Sequence, residues 1–140
     1  MQMLRVKTRA KVNLHLEVVG RRQDGFHEIE TIFQTVDLAD AMELEPTRDG
    51  RVEITCDEPS IPVDETNICH RAVVAMRRFA GPTLGARIHL HKRIPAGAGL
   101  GGGSANAAGV ILAVRKGLRL GVSDSHIQRL AAGLGSDVPF

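Results

Sequence analysis

A glycine-rich run, residues 94–108 (IPAGAGLGGGSANAA), contains the residue types that most clearly indicate chemistry. It follows a segment with strand alternation and leads into small helix-forming residues. The first N–H groups of a helix have no partner within the helix, and the helix dipole places partial positive charge there. Glycines let a phosphate approach this backbone without meeting a Cβ atom. The run therefore predicts a phosphate-binding loop rather than a flexible connector, which does not lead into a patterned helix.

This loop agrees only in part with the three common phosphate-binding motifs. Gly97, Gly99 and Gly102 match the dinucleotide pattern G-x-G-x-x-G. The preceding strand is half polar, however, and no buried second strand ending in an acid follows. A P-loop ends in Gly-Lys-Ser/Thr, whereas this loop ends in Gly103-Ser104. A protein-kinase glycine loop lies between two strands, not before a helix.

The segments upstream of the loop alternate between strand and helix patterns. Apolar residues recur at every second position over residues 6–18 and 86–90, and residues 28–36 also have strand character. Residues 41–45 and 51–56 flank the turn PTRDG, which predicts a hairpin.

Helix signals fill the rest of the chain. A first helix is predicted to begin at Asp64, as its N-cap, and to end at Gly81. A second follows the glycine run and continues to Leu118, and a third opens at the N-cap Ser123.

Composition limits the class of protein. A chain of 140 residues with 43% hydrophobic and 24% charged residues predicts one globular domain. A net charge of +2 is too small to indicate nucleic-acid binding, and no segment has the features of a signal peptide or a membrane span. Cys56 and Cys69 are predicted to be free thiols, and His89 and His91 lack a third metal ligand. These features predict a cytoplasmic protein without a metal site formed by its own side chains.

Five segments in a fixed order resemble one known family. PAGAGLGGGSANAA is similar to the second motif of the GHMP kinases, Pro-x-x-x-Gly-Leu-Gly followed by small residues. AKVNLHLEVVGRRQDGFH, DETNICHRA, KRIP and GSDVPF resemble other segments of the family, so the resemblance covers essentially the whole chain. It implies an α+β fold over residues 1–140, the GHMP-kinase N-terminal domain, which is ribosomal protein S5 domain 2-like.

The resemblance also implies an activity and its cofactors. GHMP kinases phosphorylate a hydroxyl group of a small molecule, with ATP and Mg²⁺ as cofactors. The Gly-Gly-Gly-Ser form of the loop, with Asn106 after it, is similar to the branch acting on a cytidyl diphosphate sugar alcohol of the non-mevalonate isoprenoid pathway. By this resemblance the ATP phosphates contact the following residues: Pro95, Gly97, Gly99, Leu100, Gly101, Gly102, Gly103 and Ser104.

The same resemblance implies two catalytic residues, Lys11 and Asp137. Asp137 is expected to accept the proton of the attacking hydroxyl, and Lys11 to keep Asp137 ionised and stabilise developing charge. The motifs also imply an adenine contact, Asn67, and three substrate contacts: Asn13, Phe26 and His27.

Without the resemblance, several of these residues have structural explanations. Lys11 and Asn13 fit a solvated strand face, His27 fits a loop, and Asp137 fits a turn cap. Asn67 and Ser104 fit the first turns of helices. Ala105 departs from the serine common in this branch, which removes one donor worth at most about 3 kcal/mol.

The length of the chain departs from the family, whose members carry a second, C-terminal domain. We therefore expect an N-terminal portion with little activity alone, whose uncovered surface favours self-association. Two alternatives stay open. A non-catalytic binding module of the same fold would show salt-dependent RNA binding. A dinucleotide-binding oxidoreductase would have a parallel sheet and retain NAD(P).

Overall fold

A computed structural model gives the structure of residues 2–21 and 27–139, and the side chains of residue 13 and residues 15–33 are outside this description. The described part forms one four-stranded sheet with three helices. The strands are β1 (Leu4–Arg21), β2 (His27–Thr47), β3 (Val52–Cys56) and β4 (Gly85–His91). The helices are α1 (Ile68–Ala80), α2 (Gly102–Gly117) and α3 (Asp124–Leu134). The predicted α+β class is confirmed.

The strand order, β1-β2-β4-β3, contradicts the predicted hairpin between residues 41–45 and 51–56. Strand β4 lies between β2 and β3, antiparallel to β2 and parallel to β3. It can enter there because Gly85 has no side chain: a Cβ atom at this position would lie 2.3 Å from the Arg51 carbonyl oxygen. The Ala86 N–H then donates to that oxygen at 2.9 Å. The turn PTRDG therefore separates two strands that do not pair with each other.

One face of the sheet carries the hydrophobic core. The inward residues of β2 and β4, such as Met42, Leu44 and Leu90, pack in one cluster with buried residues of all three helices. Alternate residues on β4, among them Arg87 and His89, lie on the opposite, partly exposed face. Helix α2, which begins at the glycine run, is thus anchored by its apolar side.

Two of the three predicted caps at the ends of α1 and α3 agree with the structure. Gly81 ends α1 and Ser123 caps α3, as predicted. Helix α1 begins later than predicted, because its N-cap is Asn67 rather than Asp64. The Asp64 carboxylate instead accepts hydrogen bonds from the N–H and hydroxyl of Thr66, which form a turn before the helix.

Three other sequence predictions can be compared with the described residues. Cys56 and Cys69 are free thiols, and burial raises the pKa of Cys69 to about 12, so this thiol is unreactive at neutral pH. No described helix has both the length and the apolar character needed to cross a bilayer. No three described His, Cys, Asp or Glu side chains form a group able to hold a metal ion.

Candidate active site

The glycine loop connects β4 to α2 and adopts a conformation that only glycine favours at three positions. Gly97, Gly99 and Gly101 have φ angles of 72°, 74° and 71°. Gly101 is the N-cap of α2, so no side chain caps the first turn of this helix. The uncapped N–H groups, together with the helix dipole, form an environment that attracts an anion.

A cavity of about 420 Å³ lies over this loop. Its wall combines the loop backbone with Asn67, Lys92 and Asn106. A Cβ atom at Gly102 would lie 2.9 Å from Ile94 Cγ2 and 3.3 Å from Lys92 Nζ, so a side chain there would press on the wall. The cavity therefore presents backbone N–H donors, which is the chemistry that a polyphosphate requires.

Lys11 and Asp137 meet beside the same loop, although 125 residues separate them in the sequence. Lys11 Nζ lies 3.7 Å from Asp137 Oδ2. The Lys11 N–H donates to the Leu100 carbonyl at 2.8 Å, and a Cβ atom at Gly101 would lie 3.0 Å from Lys11 Cε. The Lys11 side chain is 10% exposed and that of Asp137 39%, so the carboxylate is the more accessible partner. The predicted catalytic pair is thus brought together.

A β-bulge explains why Lys11 is buried rather than on a solvated strand face. Arg9 pairs with Ala39, but Lys11 pairs with Thr35, so β2 contains extra residues between the two pairs. Ala10 and Lys11 are both buried as a result, which breaks the alternation of β1. Bulges of this kind redirect a side chain, and this one places Lys11 against the loop.

A second cavity, of about 500 Å³, lies between β1 and α2. Lys11 and Asp137 are in its wall. Gly101 and Ser104 line both this cavity and the one over the loop. The start of α2 therefore separates a polyphosphate-sized cavity from a cavity that contains a lysine–carboxylate pair.

A buried polar cluster below the loop was missed by the sequence reasoning. Lys92 Nζ donates to Asp40 Oδ2 at 2.5 Å and to Asn106 Oδ1 at 2.9 Å. Asn106 Nδ2 donates to Asp40 Oδ2 at 3.1 Å and to Thr8 Oγ1 at 2.8 Å. The one available signal was Asp40 itself, an acid among small apolar residues in a strand.

Asp40 is ionised within this cluster. Burial of its carboxyl raises its pKa, but the hydrogen bonds from the Ile94 N–H, Lys92, the Arg93 N–H and Asn106 together hold the pKa below its ordinary value of 3.8. The side chain of Asp40 is fully buried and that of Lys92 is 7% exposed, so the pair is almost out of water. Its charges are tolerated because every buried side-chain N or O atom in the described part has a partner.

The structure describes the remaining predicted site residues to different extents. Asn67 is buried, its side-chain oxygen accepts from the Cys69 N–H at 2.8 Å, and its amide donates to the Pro62 carbonyl at 2.7 Å. Ser104 lies in the first turn of α2. Asn13 pairs with Phe33 through the β1–β2 ladder. The side chains of Asn13 and His27, and the whole of Phe26, lie outside the described residues.

The fold and the loop together define an α+β domain in which a glycine loop opens a helix. The family described as GHMP kinases N terminal domain matches residues 67–140, more than half of the chain. The chain belongs to the GHMP kinase family. The predicted dinucleotide-binding alternative is wrong, because β2 is antiparallel to both of its neighbours in the described sheet.

Curated relatives agree with this assignment. The chain is 46% identical over 138 residues to the 4-diphosphocytidyl-2-C-methyl-D-erythritol kinase of Synechococcus sp. (strain CC9311), over 98% of the chain and 44% of that protein. It is 47% identical over 139 residues to the kinase of the same name from Synechococcus sp. (strain CC9605), over 99% and 45% respectively. The chain therefore spans about half the length of these relatives.

A solved structure gives the same result in three dimensions. The crystal structure of a 4-(cytidine 5'-diphospho)-2C-methyl-D-erythritol kinase superposes with a TM-score of 0.78 and 41% sequence identity. The match covers 98% of this chain and 48% of that protein. The two structures therefore share a fold over about half the length of that protein.

Proposed function

We propose that the polypeptide containing this chain transfers the γ-phosphoryl group of ATP to the 2-hydroxyl of 4-diphosphocytidyl-2-C-methyl-D-erythritol. This is the kinase reaction of the non-mevalonate isoprenoid pathway. The relatives named above support the substrate, and one observation of this chain supports the chemistry: Lys11 and Asp137 form a 3.7 Å pair against the glycine loop. Phosphoryl transfer requires mainly positioning and charge stabilisation, which such an arrangement supplies.

The ATP phosphates bind in the cavity over the loop. Its backbone fits this group, because the uncapped start of α2 offers N–H donors and the absent side chain of Gly102 lets this backbone pack closely against Ile94. The contacts are those of the loop: Pro95, Gly97, Gly99, Leu100, Gly101, Gly102, Gly103 and Ser104. Asn67 lines the same cavity and has a second amide hydrogen and a second oxygen lone pair for the adenine edge.

Asp137 acts as the base. Its carboxylate accepts the proton of the substrate hydroxyl while the hydroxyl oxygen bonds to the γ-phosphorus. The bond from the γ-phosphorus to the β,γ-bridging oxygen breaks, and ADP leaves with that electron pair. The ammonium of Lys11 lies 3.7 Å from the Asp137 carboxylate and offsets the negative charge that develops between the two cavities.

Mg²⁺ is expected to neutralise the phosphates when ATP is bound. The described residues offer no group of three acidic, histidine or cysteine ligands. Mg²⁺ commonly combines substrate phosphates and waters with one or two protein oxygens. The Ser104 hydroxyl, which lines both cavities, is a protein oxygen that fits this habit.

The cytidine half of the substrate is assigned to Asn13, Phe26 and His27 by family resemblance alone. Asn13 follows Lys11 by two residues on β1, so the assignment extends the site along this strand. His27 can hydrogen-bond a cytosine edge, and Phe26 can stack on the base. Three further statements remain predictions. The protein is cytoplasmic, it binds neither nucleic acid nor membranes, and the 140-residue chain self-associates.

The test is an assay of the complete polypeptide encoded by the reading frame that contains these residues. With ATP, Mg²⁺ and 4-diphosphocytidyl-2-C-methyl-D-erythritol, ³¹P NMR should show a new phosphomonoester resonance and equimolar ADP. Homoserine and 2-C-methyl-D-erythritol 4-phosphate, which lack the cytidyl group, serve as controls. Turnover of a control in preference to the cytidyl compound would contradict the substrate, and absence of any transfer would contradict the kinase activity.

A non-catalytic module of the same fold is tested with the same preparation. It predicts RNA binding that weakens steeply with salt and no ATP consumption. The chain carries a net charge of only +2, which disfavours this outcome.

A further inference from the structure

The two ends of the glycine loop are tied to one buried carboxylate. Asp40 Oδ1 accepts hydrogen bonds from the N–H groups of Arg93, at 2.6 Å, and Ile94, at 2.9 Å, which lead directly into the loop. Asp40 Oδ2 accepts from Asn106, in the second turn of α2, beyond the loop's other end. Asp40 itself lies on β2, outside the loop. A residue of a rigid strand therefore holds both the start and the end of the glycine loop.

Lys92 completes a closed arrangement around this carboxylate. Its ammonium bridges Asp40 and Asn106, and Asn106 also donates to Thr8 on β1. Asp40, Asn106 and Thr8 are at most 5% exposed. A buried charge is costly unless it is fully paired, and a fully satisfied polar network holds its members in one arrangement.

The loop between these two fixed ends is rich in glycine, a composition that favours flexibility. Several of its residues are glycines, which lose more backbone entropy on ordering than any other residue type. A loop whose ends are fixed has less freedom left to lose when it closes on an anion.

We infer that Asp40 is a positioning residue for phosphate binding: it fixes both ends of the glycine loop so that the loop's N–H groups are held ready for a polyphosphate. It acts through the backbone of residues 93–94 and through Lys92 and Asn106, without touching the ligand. This inference rests on the proposed function and extends it to a residue outside the phosphate cavity.

The binding test compares three ligands on the complete polypeptide. Asp40→Asn should weaken ATP and inorganic tripolyphosphate by about 10- to 100-fold, because charge-assisted bonds are worth more than neutral ones. Adenosine, which has no phosphate, should bind as it does to the unmodified protein. An equal loss for adenosine and tripolyphosphate would overturn the inference, because a general structural defect affects both.

Asp57 offers a matched control. Its carboxylate accepts from the Lys92 N–H at 2.8 Å, close to the Asp40 contacts, and lies 3.7 Å from His91, so these contacts do not reach α2. Asp57→Asn should leave tripolyphosphate affinity unchanged. Equal effects of the two substitutions would contradict a specific role of Asp40.

A second measurement follows the loop without any ligand. The N–H groups of Lys11 and Ala105 donate to the carbonyls of Leu100 and Gly101, so their hydrogen exchange reports on the loop. Asp40→Asn should raise both exchange rates by roughly tenfold relative to amides in α3, and unchanged rates would overturn the inference. If hydrogen exchange at these amides rises but the unmodified protein binds no polyphosphate, the proposed function is wrong. The role of Asp40 in holding the loop is then still supported.

If the Asp40→Asn variant does not fold, Asn106→Ala tests the link between Asp40 and α2. It removes the contact beyond the loop and leaves the ion pair and both backbone bonds of Asp40 in place. We expect about a threefold to tenfold loss of tripolyphosphate affinity with unchanged adenosine affinity. Retention of full tripolyphosphate affinity by Asn106→Ala would then overturn the inference.

Discussion

Two clusters of charged and polar side chains flank the end of β4, and they differ in burial and connectivity. Below the glycine loop, Asp40 and Lys92 are nearly inaccessible and share their partners with Asn106. On the opposite face, His91 lies 3.9 Å from Glu43 and 3.7 Å from Asp57, with all three side chains more than a third exposed. Both clusters place a nitrogen-bearing side chain between acceptor oxygens, but only the first is a closed network.

The difference in burial decides what each cluster can do. Water screens the exposed cluster, so its pairwise attractions are worth at most about 1 kcal/mol each. The buried cluster cannot exchange a partner for water, so it holds the loop and α2 in one arrangement. The cluster that lies beside the cavity over the glycine loop is therefore the one that can hold its members in a fixed geometry.

The largest expected effect is on catalysis beside the buried cluster. Lys11→Ala and Asp137→Asn should each lower kcat of the complete polypeptide by about 10²- to 10⁴-fold, because each removes a group from proton transfer or charge stabilisation. ATP affinity, measured by calorimetry, should stay largely intact. Arg87→Ala is the control, since Arg87 pairs with Glu53 on the exposed face of β4 and lines neither cavity. Near-normal turnover of either site variant would refute the catalytic assignment.

The next effect is on stability and its dependence on pH. Asp40→Asn should lower the free energy of unfolding by about 3 kcal/mol at neutral pH, because it leaves Lys92 buried without its counter-charge. The pKa of Asp40 is lower in the folded protein, so its contribution is present above the ordinary pKa of 3.8 and is lost as pH falls through the folded value. Urea unfolding should therefore show a difference between variant and parent that narrows below about pH 4. A constant difference across this range would contradict an ionised Asp40.

A smaller effect separates backbone strain from side-chain contact within the loop. Gly97 and Gly101 both have positive φ, so alanine strains each backbone by about 1 kcal/mol. Only Gly101→Ala also meets Lys11, whereas a Cβ atom at Gly97 has nothing within 4 Å. We expect kcat/KM to fall about tenfold further for Gly101→Ala than for Gly97→Ala. Equal losses would indicate that the loop and Lys11 are not coupled.

The smallest effect is expected on the exposed face. His91→Gln should change the free energy of unfolding by less than about 1 kcal/mol and leave turnover unchanged. Thermal unfolding and the phosphoryl-transfer assay measure the two quantities. A loss of activity comparable to that of Asp40→Asn would remove the distinction between the clusters.

Local sequence patterns predicted the elements better than their arrangement. The loop and the helix after it follow from glycine spacing and small residues, and Ser123 and Gly81 are recognisable caps. The predicted hairpin failed because the signal in PTRDG is local, while the insertion of β4 depends on a close approach at Gly85, a distant residue. The prediction that Asp64 is the N-cap of α1 is wrong because Asn67 is also a suitable N-cap residue. Only packing in the folded chain distinguishes the two.

The site shows the same limit. Family motifs implied that Lys11 works beside Asp137, and the two side chains lie 3.7 Å apart, whereas strand alternation alone placed Lys11 in solvent. The bulge that buries it changes the β1–β2 register, and no single residue in the sequence marks this change. Asp40 lies on β2, Lys92 just after β4 and Asn106 on α2, so only their arrangement in space identifies them as a cluster.

The central claim is that nucleotide phosphates bind at the glycine loop, beside Lys11 and Asp137. The most direct test is a titration of ¹⁵N-labelled complete polypeptide with ATP and Mg²⁺, followed by amide chemical shifts. The account predicts the largest shifts at Gly97–Ser104 and at Lys11, with little change at Glu43, His89 and His91. Largest shifts on the exposed face of β4, or no shifts at the loop at saturating ATP, would contradict it.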